Sequence, residues 1–268
     1  MQLLKTRKIR TEPNPGRITI GSIRLELGVS QTIGKRQEQQ DGFLSRVLRE
    51  NDSMVVAVAD GMGGLSNGGT AAKLVLDTMT SELEQKFTCE LGPEVLPEIL
   101  VQAVETAGKQ LTEWCREQRI TAGTTLAMVV ICREELYFCS VGDSRIYLYR
   151  GEEQVQLNED HSLENYLMRC ALKQEEVSEL SGSLYSYLGQ TPIAEIDYSR
   201  KGLPLRAGDV LLLCTDGVYQ AVSEEEMSGV LGRGSVQRQT ESLIKQVLRK
   251  KMEQQDNATL LMVRCYKE

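Results

Sequence analysis

Four aspartates stand where an apolar run meets a loop. Asp60 closes "MVVAVAD", Asp216 closes "DVLLLCTD", Asp256 precedes "NATLLMVRCY", and Asp143 lies between "YFCSVG" and "RIYLYR". A carboxylate at such a point can project from the rim of a sheet without entering the core. Each also has a simpler reading as a turn residue, because Asp-Gly favours turns. Asp60-Gly61 and Asp216-Gly217, however, are followed by helix-like sequence rather than a returning strand, so they make poor hairpin loops. Asp143 fits a simple hairpin, and Asp256-Asn257 fits an ordinary helix-to-strand loop. Carboxylates converging on one rim repel each other, and the usual remedy is a cation. Hard oxygen ligands select Mg²⁺ or Mn²⁺ over zinc. The glycine after Asp60 lets backbone approach such an ion, which makes the Gly61 carbonyl a candidate ligand. Two ions about 3.5–4 Å apart, sharing a carboxylate, would bind and activate a water for attack on phosphorus.

The elements that must position these acids are short strands and a few long helices. "RITIG", "IRLELGVS", "GFLSRVL" and "SMVVAVAD" carry β-branched residues and partial alternation. Apolar residues three and four apart predict helices over 70–87 and 93–118, the latter with Pro97 near its first turn. "TTLAMVVIC", "ELYFCSVG" and "RIYLYR" read as three strands with hairpin-sized breaks. Two short helices are expected around 161–180, then a strand pair, "EIDYSR" with "DVLLLCTD". "SVQRQTESLIKQVLRKK" reads as a helix with Leu243, Ile244, Val247 and Leu248 on one face, and its closing Arg249, Lys250 and Lys251 suit a C-terminus. "ATLLMVRCY" ends the chain as a strand. Strands grouped in meanders, with long helices between them, point to an α+β fold of antiparallel sheets covered by helices. Residues 1–16, with Lys5, Arg7, Lys8 and Arg10, read as a flexible or edge-associated tail, and 17–268 as a single domain.

Composition excludes several classes. The chain has 268 residues, 41% hydrophobic and 26% charged, which suits a full globular core. A net charge of −7 argues against nucleic acid or an anionic membrane as general partner. No apolar run approaches the roughly 18 residues of a membrane span, and the opening "MQLLKTRKIRTEPNPG" lacks a signal-peptide core. The 7 cysteines lie mostly in apolar stretches with no C-x-x-C pair, so buried free thiols in a reducing cytoplasm are expected, without structural zinc.

At these acids the chain resembles the metal-dependent protein serine/threonine phosphatases of type 2C, in their bacterial form. "GKRQEQQDGF" resembles the opening Arg-x-x-Asn-Glu-Asp motif, and "VADGMGG" the central metal motif. "GTTLAMVV" and "VGDSRIYLYR" resemble the paired-strand motifs, and "DHSL" and "YLGQ" shorter later ones. "LLLCTDGVYQAVSEEEM" and "DNATLLMV" resemble the last two metal motifs. The matches run in family order from about residue 30 to 264. The resemblance implies a four-layer αββα sandwich, two antiparallel sheets flanked by helix pairs. It implies a centre of two Mn²⁺ or Mg²⁺ ions at one end, bridged by Asp60 and completed by the Gly61 carbonyl, Asp216 and Asp256. Asp143, with Asp216, matches a third, weaker ion position. Arg36 matches the phosphate-binding arginine, a role that suits a guanidinium fork, and Asp41 an acid that orients metal waters. The implied reaction is hydrolysis of phosphoserine or phosphothreonine by a metal-activated water, with no phospho-enzyme. The implied setting is a cytoplasmic monomer that reverses a cognate serine/threonine kinase.

The chain departs from the pattern in three places. Gln40 replaces an acid that can hold metal-bound water, so altered metal affinity is expected. Met62 stands where animal members often carry a histidine proposed as general acid. The only histidine, His161, is read as structural. Only about two dozen residues separate "DHS" from "YLGQ", so the flap-like segment there must be compact. Gln40 also raises the alternative of a pseudophosphatase that binds a phosphorylated partner without turnover. A third reading is a phosphatase narrowed to one bacterial regulator or kinase.

Overall fold

The computed structural model describes residues 17–48, 52–64, 67–88, 90–170, 182–232 and 234–266. The expected tail over 1–16 therefore lies outside the described residues, as does most of the second short helix expected around 161–180.

The strands are apolar on both sides because both sides are covered. β4 (Ser53–Ala59) is buried along its whole length. Its Met54, Val56 and Val58 enter the layer between two sheets, while Val55, Ala57 and Ala59 face a pair of helices. β13 (Val210–Cys214) divides the same way: Leu211 and Leu213 point inward, and Val210, Leu212 and Cys214 face an outer helix. Side chains alternate with a period of two, so an unbroken apolar run requires two apolar neighbours.

One sheet has the order β1 (Arg17–Ile20), β2 (Ile23–Thr32), β14 (Ala258–Tyr266), β13, β9 (Arg145–Arg150), β10 (Glu153–Gln156). The other runs β11 (Asp197–Tyr198), β8 (Glu135–Val141), β7 (Leu126–Cys132), β4, β3 (Gly42–Leu48), with β12 (Leu203–Pro204) also on β8. All these pairings are antiparallel. A third ribbon joins β5 (Gly61–Gly63) to β6 (Ala122–Thr124).

Over the β4 sheet lie α1 (Asn67–Lys86) and α2 (Leu96–Gln118), the latter entered by a 3₁₀ turn at Pro93–Val95. Their inward faces repeat every three or four residues: Ala72, Val75, Leu76, Met79 and Leu83 on α1, and Leu96, Leu100, Ala103, Val104, Ala107 and Leu111 on α2. Over the other sheet lies α6 (Val236–Arg249), with the short α4 (Asp216–Tyr219) and α5 (Glu224–Ser228). The four layers expected of an αββα sandwich are present, and the second outer layer is one long helix with two short ones. α3 (Leu163–Arg169) buries no residue. Among the described residues, no helix is long and apolar enough to cross a membrane. Of the six described cysteines, all but Cys170 are buried.

Two expected local pairings do not form. β8 and β9 belong to different sheets, so Gly142-Asp143-Ser144 is a crossover between layers and not a hairpin. β11 pairs with β8 and β13 with β9 and β14, so "EIDYSR" and "DVLLLCTD" are not partners. In both cases the strands take antiparallel partners further away in sequence.

α6 approaches β2 where Gly28 has no side chain. A Cβ there would lie 2.7 Å from the Gln237 backbone nitrogen and 2.8 Å from the Val236 carbonyl carbon. The Gln237 side chain then bonds both backbone groups of Val29, at 3.1 and 3.0 Å. Because the obstructing atoms are backbone, Gly28→Ala is expected to push the helix off the sheet and cost about 1–3 kcal/mol, measured by urea unfolding.

Candidate metal centre

The strand registers bring the expected site residues to one rim. In the first sheet, Thr32 at the end of β2 pairs with Ala258 at the start of β14, and Cys214 at the end of β13 pairs with Arg145 at the start of β9. The positions just beyond those ends carry Arg36, Asp256, Asp216 and Asp143. In the second sheet, Gly42 pairs with Ala59, and Leu126 with Val141. The positions beyond them carry Asp41, Asp60, Thr125 and, again, Asp143. Arg36, Asp60, Gly61, Asp143, Asp216 and Asp256 all line one cleft of about 310 Å³, together with Gln40, Met62 and Thr125.

Each acid is held through its backbone or its neighbours. The Asp60 N–H donates to the Thr125 hydroxyl, and its carbonyl accepts from the Thr125 N–H and the Thr124 hydroxyl, all at 2.9 Å. The Thr125 hydroxyl also bonds that of Ser144, at 2.7 Å, which joins the Asp60 strand end to the Asp143 crossover. Gly61 crosses the start of α1 so closely that a Cβ would sit 2.0 Å from the Gly68 carbonyl oxygen. Gly68 in turn must lack one, since it would lie 2.5 Å from the Gly61 oxygen. Gly142 takes φ 97. Its N–H donates to His161 Nδ1 (3.1 Å), and its carbonyl accepts from the His161 N–H (2.9 Å). His161 is thus a buried brace outside the cleft lining. Tyr219 donates to Asp143 Oδ2 at 3.1 Å, and burial, then the nearby Asp143 and Asp216, keeps its phenol protonated.

Asp216 opens α4, and Gln220 Nε2 donates to its Oδ2 at 2.8 Å. Asp256 Oδ2 takes the Arg36 guanidinium at 2.5 Å. Asn257 staples the Arg36 loop: its Nδ2 donates to the Ile33 and Glu38 carbonyls, and its Oδ1 accepts from the Gln40 N–H. Asp41 does not line the cleft. It is buried beneath, where its Oδ2 accepts from Thr215 (2.9 Å) and Thr259 (2.7 Å) at the bases of the Asp216 and Asp256 loops. Gln40 Nε2 donates to the Gly63 carbonyl at 2.9 Å, a bond that an ionised glutamate could not make.

The acids raise one another's proton affinity. Burial, then Asp216 and Asp160, pushes Asp143 up to about 7. Burial also pushes Asp41 up to about 7, against the two threonine bonds. Asp60 is held well above the carboxylate range by burial and by Asp41, Asp216, Asp143 and Asp256. Asp216 is raised by burial and by Asp256. Among the described residues, Arg36 alone offsets this charge from within the cleft lining, and its own proton is held more tightly for it.

Among the described residues, no three of these side chains already form a cage for an ion, since Asp256 is turned to Arg36 and Asp216 to Gln220. The donor set nevertheless fits a hard divalent cation. All its atoms are oxygens. Asp216 Oδ1 and Asp41 Oδ1 are buried with no hydrogen-bond partner. The glycine crossing at Gly61 and Gly68 brings bare backbone beside the acids.

The family model for protein phosphatase 2C matches residues 30–258, spanning every one of these positions. The chain belongs to the protein phosphatase 2C family. It is 30% identical over 182 residues to the serine/threonine phosphatase stp of Listeria innocua, covering 66% of this chain and 71% of that protein. The solved structure of the S. agalactiae serine/threonine phosphatase superposes with a TM-score of 0.81 at 25% identity, over 91% of this chain and 100% of that one. The catalytic domain of the phosphatase PstP, solved in complex with two manganese ions, matches with a TM-score of 0.74 at 25% identity, over 91% of this chain and 99% of that one. His161 is structural, as its sequence context suggests, and its contacts with Gly142, like that of Tyr219 with Asp143, join residues of different elements. "TDGVY" carried a signal only in hindsight, a tyrosine one helical turn after a rim acid.

Carboxylates whose pKa is raised on folding stabilise the fold while protonated and oppose it once ionised. Without metal, the melting temperature is expected to fall by a few degrees as pH rises from 6 to 8 through about 7, the value for Asp41 and Asp143. Mn²⁺ should raise it more at pH 8 than at pH 6, because protons no longer compete. Thermal melts in chelator and in Mn²⁺ at both pH values check this, and an equal Mn²⁺ effect at the two would contradict it.

Proposed function

We propose that this 2C-type phosphatase hydrolyses phosphoserine and phosphothreonine in proteins at the Asp60 cleft, with Mn²⁺ or Mg²⁺ as cofactor. The observation that carries this is the convergence of four strand-end carboxylates and one arginine on a single cleft. Asp60 is assigned as the bridge between two cations, with the Gly61 carbonyl, Asp216 and Asp256 as the remaining protein ligands. Asp143, with Asp216, is assigned to a weaker third. Bound divalent cations supply an activated water at neutral pH and offset phosphate charge.

The chain's own groups do the rest. Arg36 is exposed, on a loop stapled by Asn257, and its fork matches phosphate oxygens two at a time. Asp256, its present partner, is the acid it must leave in order to turn to phosphate. Asp41 acts from beneath, fixing through Thr215 and Thr259 the bases of the two loops that carry Asp216 and Asp256. Neither Met62, which has no proton to give, nor His161, whose Nδ1 is engaged by Gly142, serves the leaving alcohol. Gln40 braces the end of β5 at Gly63, so the residue that suggested a non-catalytic protein has a structural use.

Several further elements belong to this reading. Residues 17–268 form one catalytic domain, supported by the pairing of β2 with β14 across almost the whole chain. The protein is a cytoplasmic monomer that opposes a serine/threonine kinase, a role supported by the names of its bacterial relatives.

Mn²⁺-dependent phosphate release from a phosphothreonine peptide tests the reading. Wild type is expected to turn over and Asp60→Asn to fall to background. Arg36→Ala should lose about 10²-fold in kcat/KM. Absence of turnover by wild type across several divalent ions would remove the enzymatic assignment. Turnover surviving in Asp60→Asn would remove the metal assignment.

A further inference from the structure

Asp143 is held by a side chain reaching across from another loop's helix. One turn, α4, carries Asp216 and then Tyr219, and its C-cap is Gln220. Gln220 bonds back to Asp216, while the Tyr219 hydroxyl crosses to Asp143 Oδ2 at 3.1 Å. The same turn therefore places one acid and holds two.

The Tyr219 ring is fixed from behind. The Arg145 guanidinium lies over it, 3.7 Å from the ring centroid. Arg145 is itself immobilised. Its Nε donates to both carboxylate oxygens of Asp160 at 3.0 Å, its Nη2 to Oδ2 at 2.6 Å, and its Nη1 to the Tyr147 hydroxyl at 2.9 Å. Asp160 is buried and also receives Gln156 Nε2 at 2.8 Å. The guanidinium has no freedom to follow a moving ring, so the phenol oxygen has a set position. Tyr219 is half-buried and is not among the cleft-lining residues.

We propose that Tyr219 is a positioning residue for Asp143: seated on the Arg145–Asp160 pair, its hydroxyl holds Oδ2 and leaves Oδ1 to a divalent cation shared with Asp216. The inference rests on the proposed role of Asp143 as a ligand of the weakest cation. Carboxylates that bind metal are themselves held by outer hydrogen bonds, and losing such a bond commonly weakens metal binding 10–100-fold. A hydroxyl donor also favours the charged form of the acid it holds. Tyr219→Phe removes the donor and keeps the aromatic face under Arg145.

The test is Mn²⁺ titration calorimetry on the full chain, comparing wild type, Tyr219→Phe, Asp143→Asn and the double variant. Tyr219→Phe is expected to weaken the last binding step about 10-fold and leave the tighter steps in place. Asp143→Asn should abolish the last step, and the double variant should match Asp143→Asn alone. An isotherm of Tyr219→Phe identical to wild type, with the last step lost in Asp143→Asn, would overturn the proposal. So would a lower melting temperature in chelator with unchanged Mn²⁺ affinity, the mark of a purely structural tyrosine. An unaltered isotherm in Asp143→Asn would instead overturn Asp143 as a ligand, and the proposal with it. Should Tyr219→Phe fail to fold, Mg²⁺ titration of wild type followed by NMR replaces it. The Tyr219 ring signals are expected to move with the last step, and their constancy would count against the proposal.

Discussion

Repulsion between carboxylates sets the terms for this molecule. Asp60, Asp143, Asp216 and Asp256 share one cleft, with Asp41 buried below, and among the described cleft-lining side chains only Arg36 offers opposite charge. In a site partly shielded from water, such charges act on each other far more strongly than on an open surface. Flexible loops would let them part. The rim is therefore tied by short contacts. The Thr125 hydroxyl joins the Asp60 strand end to Ser144, and Thr215 and Thr259 close on Asp41. Glycines at 61, 68 and 217 allow backbones to cross where a side chain would collide. A cation would then relieve a strain that the fold has already been built to withstand.

What resists that strain is the depth of the sandwich. β4 and β13 are apolar on both faces and bear on three buried layers, one between the sheets and one under each set of helices. Removing any of these strands from its place would expose apolar surface on two sides at once. The acids follow immediately after or before such strands. Their positions thus inherit the stiffness of the core, while their side chains stay at its edge. Arg36 is the exception, on an exposed loop held by Asn257, by the Lys35 N–H to Gln255 and by the Lys35 ammonium to the Glu253 carbonyl. That freedom suits a group that must exchange Asp256 for phosphate.

Braces of several kinds hold the rim of this chain. Gln40 spends its amide on the Gly63 carbonyl, and Met62 lines the cleft without a proton to offer. His161, alone of its kind in the sequence, is used to hold the Gly142 crossover through both its backbone and its ring. The stack from Asp160 through Arg145 to Tyr219 ends on Asp143.

The apolar runs of the strands, the three-and-four spacing of α1, α2 and α6, and the placing of four acids at strand ends were all legible in the sequence. They follow from side-chain period and from turn chemistry, which act over a few residues. Order and register were not legible. Two residues between "YFCSVG" and "RIYLYR" suit a hairpin as well as a crossover, and only pairing with β13, some sixty residues further on, takes β9 to the other sheet. Asp41 looked like an acid of the cleft, yet the β13–β14 pairing seats it beneath, between two threonine hydroxyls. Tyr219 and His161 carried no spacing signal, because their partners lie on other elements. The sequence by itself determined which segments are strands and helices and which acids sit at their ends. Only the tertiary structure decided that these ends share one rim, because antiparallel register between distant strands is chosen by burial across the whole core.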